Sequence, residues 1–267
     1  MSNTAERADQ VIAALHAGHD HLASVVRGLD AADLTRKSGA VEWDVSQVLS
    51  HLGSGAVTGR AVLDGALDGT GPKGAEFNKS AWARWDAMSP GERAERFVSA
   101  DEELVARYES LDARTREALR ITLGFLHVPV DVATLAGLRL GEVTFHTWDV
   151  EVTFDPAAVP APVARGPLLG QTGLLIGRLG QADAVDGRPV RLAIRTTSPD
   201  RSFRVDLGET VALGDPSAVP DVALSAPAEW WLRLMTGRHA PAYTPASVTL
   251  TGEALTLDDL RRVFPGF

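Results

Sequence analysis

The stretch Asp155-Pro156-Ala157-Ala158-Val159-Pro160-Ala161-Pro162 divides the chain into two parts with different hydrophobic periods. Before it, apolar residues recur every three or four positions, the period of an amphipathic helix. After it, they alternate in short runs broken by Gly, Pro and Asp, the period of strands. One pattern cannot serve the other backbone, because a strand turns every second side chain to the opposite face. The chain has 267 residues, enough for two ordinary domains. We therefore expect a two-domain α+β protein, with a helical domain over 1–154 and a small α+β domain over 163–267.

In the first part, Val11, Ile12, Leu15, Leu22, Val25, Val26 and Leu29 form one stripe, so a helix is predicted from about Ala5 to Leu29. His19 falls on that stripe, whereas His16 and His21 do not; one half-buried histidine and two surface ones is a better reading than a metal cluster. Asp44, followed three positions later by Gln47, is a capping-box pattern that starts a second helix. Val45, Val48, Leu49, Leu52 and Ala56 mark its buried side. Residues 65–80, with several glycines and Pro72, read as a long loop. Ser89-Pro90-Gly91-Glu92 opens a third helix, with Ser at the N-cap, Pro at the first position and Glu at the third. Residues 121–130 are apolar and irregular. Pro129 and Asp131 then begin the last long helix, which ends near Glu151. Four helices with one apolar stripe each pack most economically as a four-helix bundle.

In the second part, one helix is predicted over 163–179. Strands follow over 190–195, 203–207, 209–213, 221–224 and 247–250. Helices are expected over 227–236 and 256–263. The sheet should be mostly antiparallel.

The balance of 26 Lys and Arg against 35 Asp and Glu gives a net charge of −9. A nucleic-acid surface would be basic, so nucleic acid is dropped as a partner. The N-terminus lacks the basic start and apolar run of a signal peptide. No stretch reaches the ~18 unbroken apolar residues of a membrane span. A cytoplasmic monomer or small homo-oligomer, without membrane partners, is the expectation. There are no cysteines. Any metal must then be held by His, Asp or Glu, and any thiol chemistry must use a thiol from outside.

Glu142 and His146 stand four residues apart in the last long helix, hence on one face, which also carries Leu135 and Leu138. A carboxylate and an imidazole on an apolar face are costly to bury unless something satisfies them. A divalent metal does so. His51 sits near Val48 and Leu52 on the buried side of the second helix and is the third candidate ligand. Asp149, three residues after His146, can orient a ligand or move a proton; equally, it can be a helix-end carboxylate paired with an arginine.

With those residues in hand, the chain resembles the mycothiol-dependent maleylpyruvate isomerase family. Trp43-Asp44-Val45 through His51-Leu52 looks like the family's second helix. Gly141-Glu142, then His146-Thr147-Trp148-Asp149, looks like its fourth. Leu234-Met235-Thr236-Gly237-Arg238, with Val248 through Glu253, looks like its C-terminal block. The resemblance implies a DinB-like four-helix bundle joined to a domain similar to sterol carrier proteins. It implies zinc held by His51, Glu142 and His146, and mycothiol as cosubstrate. Three ligands leave an open position, the mark of a catalytic site. An external thiol would add to a small unsaturated acid, with isomerisation or S-transfer as the result. Arg238 matches an arginine of the C-terminal block and is the candidate clamp for a substrate carboxylate, with Arg233 as fallback. Two readings compete: a thiol-independent metalloenzyme such as a hydrolase, and a non-catalytic protein that binds a metal and an apolar ligand.

Overall fold

A computed structural model describes residues 3–124, 126, 128–185 and 187–266. Phe125 and His127, within the irregular apolar stretch, lie outside the described residues. The chain separates into two compact units, Met1–Ala164 and Arg165–Phe267.

The helices of the first unit are α1 (Asn3–Arg27), α2 (Val45–Leu67), α3 (Ala75–Asp86), α4 (Pro90–Glu109), α5 (Ala113–Ala118) and α6 (Val132–Glu151). The four long ones form the bundle. α1 packs along α6 and α2 along α4, and further α1–α4 and α2–α6 contacts close the ring. Its ends are set locally. Asp44 accepts from the Gln47 amide while the Gln47 side chain accepts from the Asp44 amide, a complete capping box; Ser89 and Glu92 form another. Asp131 caps α6 through the Thr134 amide.

Two departures from the sequence reading stand out here. The glycine-rich loop is shorter than expected, since α3 begins at Ala75. Its apolar spacing, Phe77-Ala81-Trp85, is helical, and Ala81 and Trp85 are buried. Trp85 packs against α2 at Gly53, where a Cβ would fall 2.1 Å from the ring. The second departure is α6, which buries far more than one stripe: residues 143–150 are all buried. A helix apolar nearly all round belongs at the centre of its unit. The Pro/Ala stretch after it is not a loose tether. Trp148 Nε1 donates to Ala158 O at 2.9 Å, pinning that stretch to α6.

The predicted helix over 163–179 is two helices, α7 (Pro162–Leu169) and α8 (Thr172–Leu179), broken at Gly170-Gln171. Glycine there is a weak helix former and lets the chain redirect. The second unit continues with β1 (Val190–Thr197), β2 (Arg201–Leu207), β3 (Val211–Leu213), β4 (Val222–Pro227), α9 (Ala228–Met235), β5 (Thr249–Thr251) and α10 (Leu257–Val263). The sheet order is β3-β2-β1-β4-β5. All neighbours are antiparallel except β1 and β4. Along β1, Val190, Leu192, Ile194 and Thr196 are buried, and Arg191, Arg195 and Thr197 are exposed, so one face meets the core. α9 is buried along its whole length, with Trp230 and Trp231 fully enclosed. The fold is thus an α+β arrangement of a helical bundle and a small, mostly antiparallel sheet domain. Among the described residues, no helix is long and apolar enough to cross a membrane.

Candidate metal centre

His51 leaves the second turn of α2, while Glu142 and His146 leave α6 one turn apart. Their ligand atoms gather so that all three lie within 4.8 Å of one another. His51 Nε2 is 2.7 Å from Glu142 Oε2, and His146 Nε2 is 3.7 Å from the same oxygen. The two imidazoles meet edge to face, with centroids 4.8 Å apart. The sequence reading placed all three on an inward face. In the fold, only His146 is buried; the His51 and Glu142 side chains are 40% and 50% exposed. The cluster therefore lies at the surface of the first unit's core, open on one side, because Glu142 is the one exposed position of α6 between the buried Leu140 and Val143.

This donor set fits a divalent metal. Tetrahedral zinc with bonds of about 2.0–2.2 Å holds its ligand atoms about 3.3–3.6 Å apart, so the 3.7 Å separation is already close and the 2.7 Å one needs to open by under an ångström. Two imidazoles and one carboxylate suit zinc or a similar ion. Burial works to raise the Glu142 carboxyl. The His51 hydrogen bond and the charges of His146, His51 and Arg139 outweigh it and hold the carboxyl at about 2. Glu142 is accordingly an anion at neutral pH.

Asp149 is fully buried, and its Oδ2 lies 2.8 Å from His146 Nδ1. An ionised carboxylate only accepts, so Nδ1–H is the donor in this bond and Nε2 is the nitrogen left facing the cluster. This contact is of the kind by which a carboxylate orients a metal-binding histidine.

The sequence reading missed a buried network behind the cluster. Arg139 donates from Nε and Nη2 to Asp101 Oδ1, at 3.1 and 2.5 Å, and from Nη2 to Leu52 O at 2.9 Å. The other Asp101 oxygen lies 2.9 Å from His19 Nδ1. One carboxylate thus joins α1, α4 and α6. The Leu52 carbonyl ties in α2 beside His51, which sets the register of His51 against Glu142. Burial tends to raise the Asp101 carboxyl, but the Arg139 guanidinium and the His19 bond bring it below the ordinary range. A signal was present: Asp101 stands between Phe97 and Leu104 on the apolar stripe of α4, and Arg139 between Leu135 and Val143 on α6. Trp43 was also missed as a site residue; its ring lies 5.1 Å from His51 and 5.8 Å from His146.

Arg238 lies in the second unit, just past α9. Gly237 has φ +80°, the Gly237 amide donates to Leu234 O, and the Arg238 amide donates to Arg233 O. These bonds form a Schellman motif, which accounts for the Thr-Gly-Arg spelling. The Arg238 Nη1 donates to Thr236 O at 3.1 Å. The fallback, Arg233, has a buried guanidinium bonded to Glu229 Oε2 at 2.8 Å and to Tyr243 O. It serves as an internal brace of the second unit.

The mycothiol maleylpyruvate isomerase N-terminal domain model matches residues 15–151, more than half of the chain. The chain belongs to this family. The matched stretch holds His51, Glu142, His146 and Asp149, whereas Arg238 lies beyond it. Among solved structures, the chain is similar to the mycothiol-dependent maleylpyruvate isomerase. The TM-score is 0.64 at 15% identity, covering 92% of this chain and 94% of the other. A histidine-to-alanine mutant of that enzyme matches with the same values. This likeness establishes a shared fold over both units. No curated protein sequence matches the chain.

Proposed function

We propose that this family member is a metal-assisted, thiol-dependent isomerase acting on a small unsaturated acid of the maleylpyruvate kind, with mycothiol as the thiol. The observation that carries the reading is the convergence of His51, Glu142 and His146 on one half-open cluster. Family membership supports the thiol and the substrate class. The name of the structurally similar enzyme points the same way.

His51 Nε2, Glu142 Oε2 and His146 Nε2 would hold the ion, with Asp149 keeping the His146 tautomer fixed. A bound divalent cation, zinc in this reading, supplies Lewis acidity that favours the thiolate form of a thiol at neutral pH. The protein has no cysteine, so the nucleophile comes from outside. The thiolate adds to the double bond, and the electron pair moves onto the neighbouring carbonyl as an enolate. The former double bond, now single, rotates. The enolate collapses, the thiolate leaves, and the trans alkene remains with no net change in oxidation state. Arg238 is the proposed clamp for a substrate carboxylate, since a guanidinium fork meets both oxygens at once. A persistent adduct would instead make the reaction an S-transfer.

The test is isomerisation of maleylpyruvate by zinc-loaded protein with and without mycothiol, followed by the change in ultraviolet absorbance. Turnover that needs both zinc and thiol, and that is lost in His51→Ala and His146→Ala together with the metal, is the expected result. Full turnover in thiol-free buffer, or wild-type metal content in both variants, would sink the proposal.

A further inference from the structure

We infer that Trp43 is a positioning residue of the metal centre, delivered to it by a loop anchored on the helix that carries Glu142 and His146. The inference rests on the metal reading of the cluster and adds a residue to it that the ligand pattern does not contain.

The Trp43 ring is tilted 38° to His51 and lies nearly parallel, at 30°, to His146. One indole therefore touches both candidate imidazole ligands, one on α2 and the other on α6. An imidazole that gives its lone pair to a cation becomes electron-poor, and the electron-rich indole face is a favourable neighbour for it. The ring also restricts the rotation of both imidazoles, so less freedom is lost when they bind an ion together.

The loop carrying Trp43 is built to hold that position. Lys37 and Asp44 pair as an isolated antiparallel bridge, and the Val45 amide donates to Arg36 O at 3.0 Å. Inside this closure the Trp43 amide donates to Ala40 O, and Ser38 donates to Trp43 O from both its amide and its Oγ. The closed loop is then fastened to the C-terminal half of α6 and the turn after it. The Gly39 amide donates to Asp149 O at 2.8 Å, Arg36 Nη2 to Thr153 O at 3.2 Å, and Thr153 Oγ1 to Lys37 O at 3.2 Å. Gly39 is the tightest point. A Cβ there would lie 2.7 Å from Val152 Cγ1, 3.0 Å from Asp149 Cα and 3.1 Å from Asp149 Oδ1. One anchor thus serves two ends: it bonds the backbone of the residue whose carboxylate meets His146 Nδ1, and it places the indole against the ring of the same imidazole.

The experiment titrates wild type, Trp43→Phe, Trp43→Leu, Gly39→Ala and His146→Ala with cobalt(II), following the d–d absorbance and, separately, tryptophan fluorescence. Dissociation rates come from chelator chase. Trp43→Leu and Gly39→Ala should each bind cobalt about tenfold or more weakly, with faster release, whereas Trp43→Phe should stay within about threefold of wild type. The emission lost in Trp43→Phe should be the component that cobalt quenches most in wild type. Equal affinity and release rate in Trp43→Leu would overturn the inference. So would fractional quenching in Trp43→Phe equal to that of wild type, a measurement that holds even where Trp43→Leu does not fold. Wild-type behaviour of Gly39→Ala would overturn the anchoring of the loop. A wild type that binds no cobalt, or a His146→Ala variant that binds as wild type does, would instead count against the metal centre itself.

Discussion

Asp149→Asn is the substitution that separates an orienting carboxylate from a merely buried one. The wild-type carboxylate is fully enclosed and 2.8 Å from His146 Nδ1. Asparagine keeps the shape and can still accept one hydrogen bond, so the packing survives and the charge does not. Losing the outer partner of a metal-binding histidine weakens metal affinity by about 10–100-fold, or about 1.4–2.7 kcal/mol. The loss reads out as stability. With free zinc at about 100 times the wild-type dissociation constant, the metal adds about 2.7 kcal/mol to wild type. At the same free zinc the variant stands at about 1–10 times its own constant, and the gain falls to about 0.4–1.4 kcal/mol. At about 2–4 °C per kcal/mol for a unit of this size, wild type should rise by about 5–11 °C and the variant by about 1–6 °C. Each protein is compared with its own zinc-free melt, so any intrinsic cost of the amide cancels. Chelator competition gives the dissociation constants directly. An Asp149→Asn protein with the wild-type constant and the wild-type zinc shift would refute the orienting role.

Arg238→Lys keeps a charge but not a fork; under the clamp assignment kcat/KM for an acidic substrate drops about tenfold or more, with metal content and melting temperature unchanged. Normal turnover in both Arg238→Lys and Arg238→Ala would remove Arg238 from the site. Asp101 has its folded-state pKa lowered, so its stabilisation is whole above about pH 4, the unfolded range, and is lost as pH falls through the depressed folded value. Urea midpoints measured from pH 7 to pH 3 should decline steeply at the acid end in wild type. Asp101→Asn should be less stable at pH 7 by about 3–5 kcal/mol and flatter below it, because Arg139 loses its buried partner. Gly53→Ala forces a methyl group to within 2.1 Å of the buried Trp85 ring. The overpacking cost of about 1–3 kcal/mol should exceed the helix-propensity gain of at most about 1 kcal/mol, lowering the melting temperature by a few degrees; an unchanged melt would show that Trp85 yields freely.

Legibility in this chain tracks the range of the interaction involved. The capping boxes at Asp44 and Ser89 and the cap at Asp131 were readable because donor and acceptor stand three residues apart. β1 and β4 were readable because a half-buried strand writes its face into alternate residues. α3 was lost because glycine and proline punctuation up to Gly74 was extended over an apolar spacing that begins at Phe77. The break between α7 and α8 was lost because a lone glycine is tolerated in a helix as often as it ends one.

By itself, the sequence determined the helical and strand periods on either side of the Pro/Ala stretch and the same-face pairing of Glu142 with His146. These follow from residues close together in the chain, whose geometry the backbone alone sets. Tertiary structure decided which carboxylates and cations meet. It set Asp149 against His146, enclosed Arg233 with Glu229, and left His51 and Glu142 half-exposed at the surface of the core. It also brought His19, Asp101 and Arg139 together, and laid Trp43 over two histidines. The reason is physical: a buried charge must find its partner wherever packing brings one, up to 82 residues away for His19 and Asp101. No local spacing records that distance.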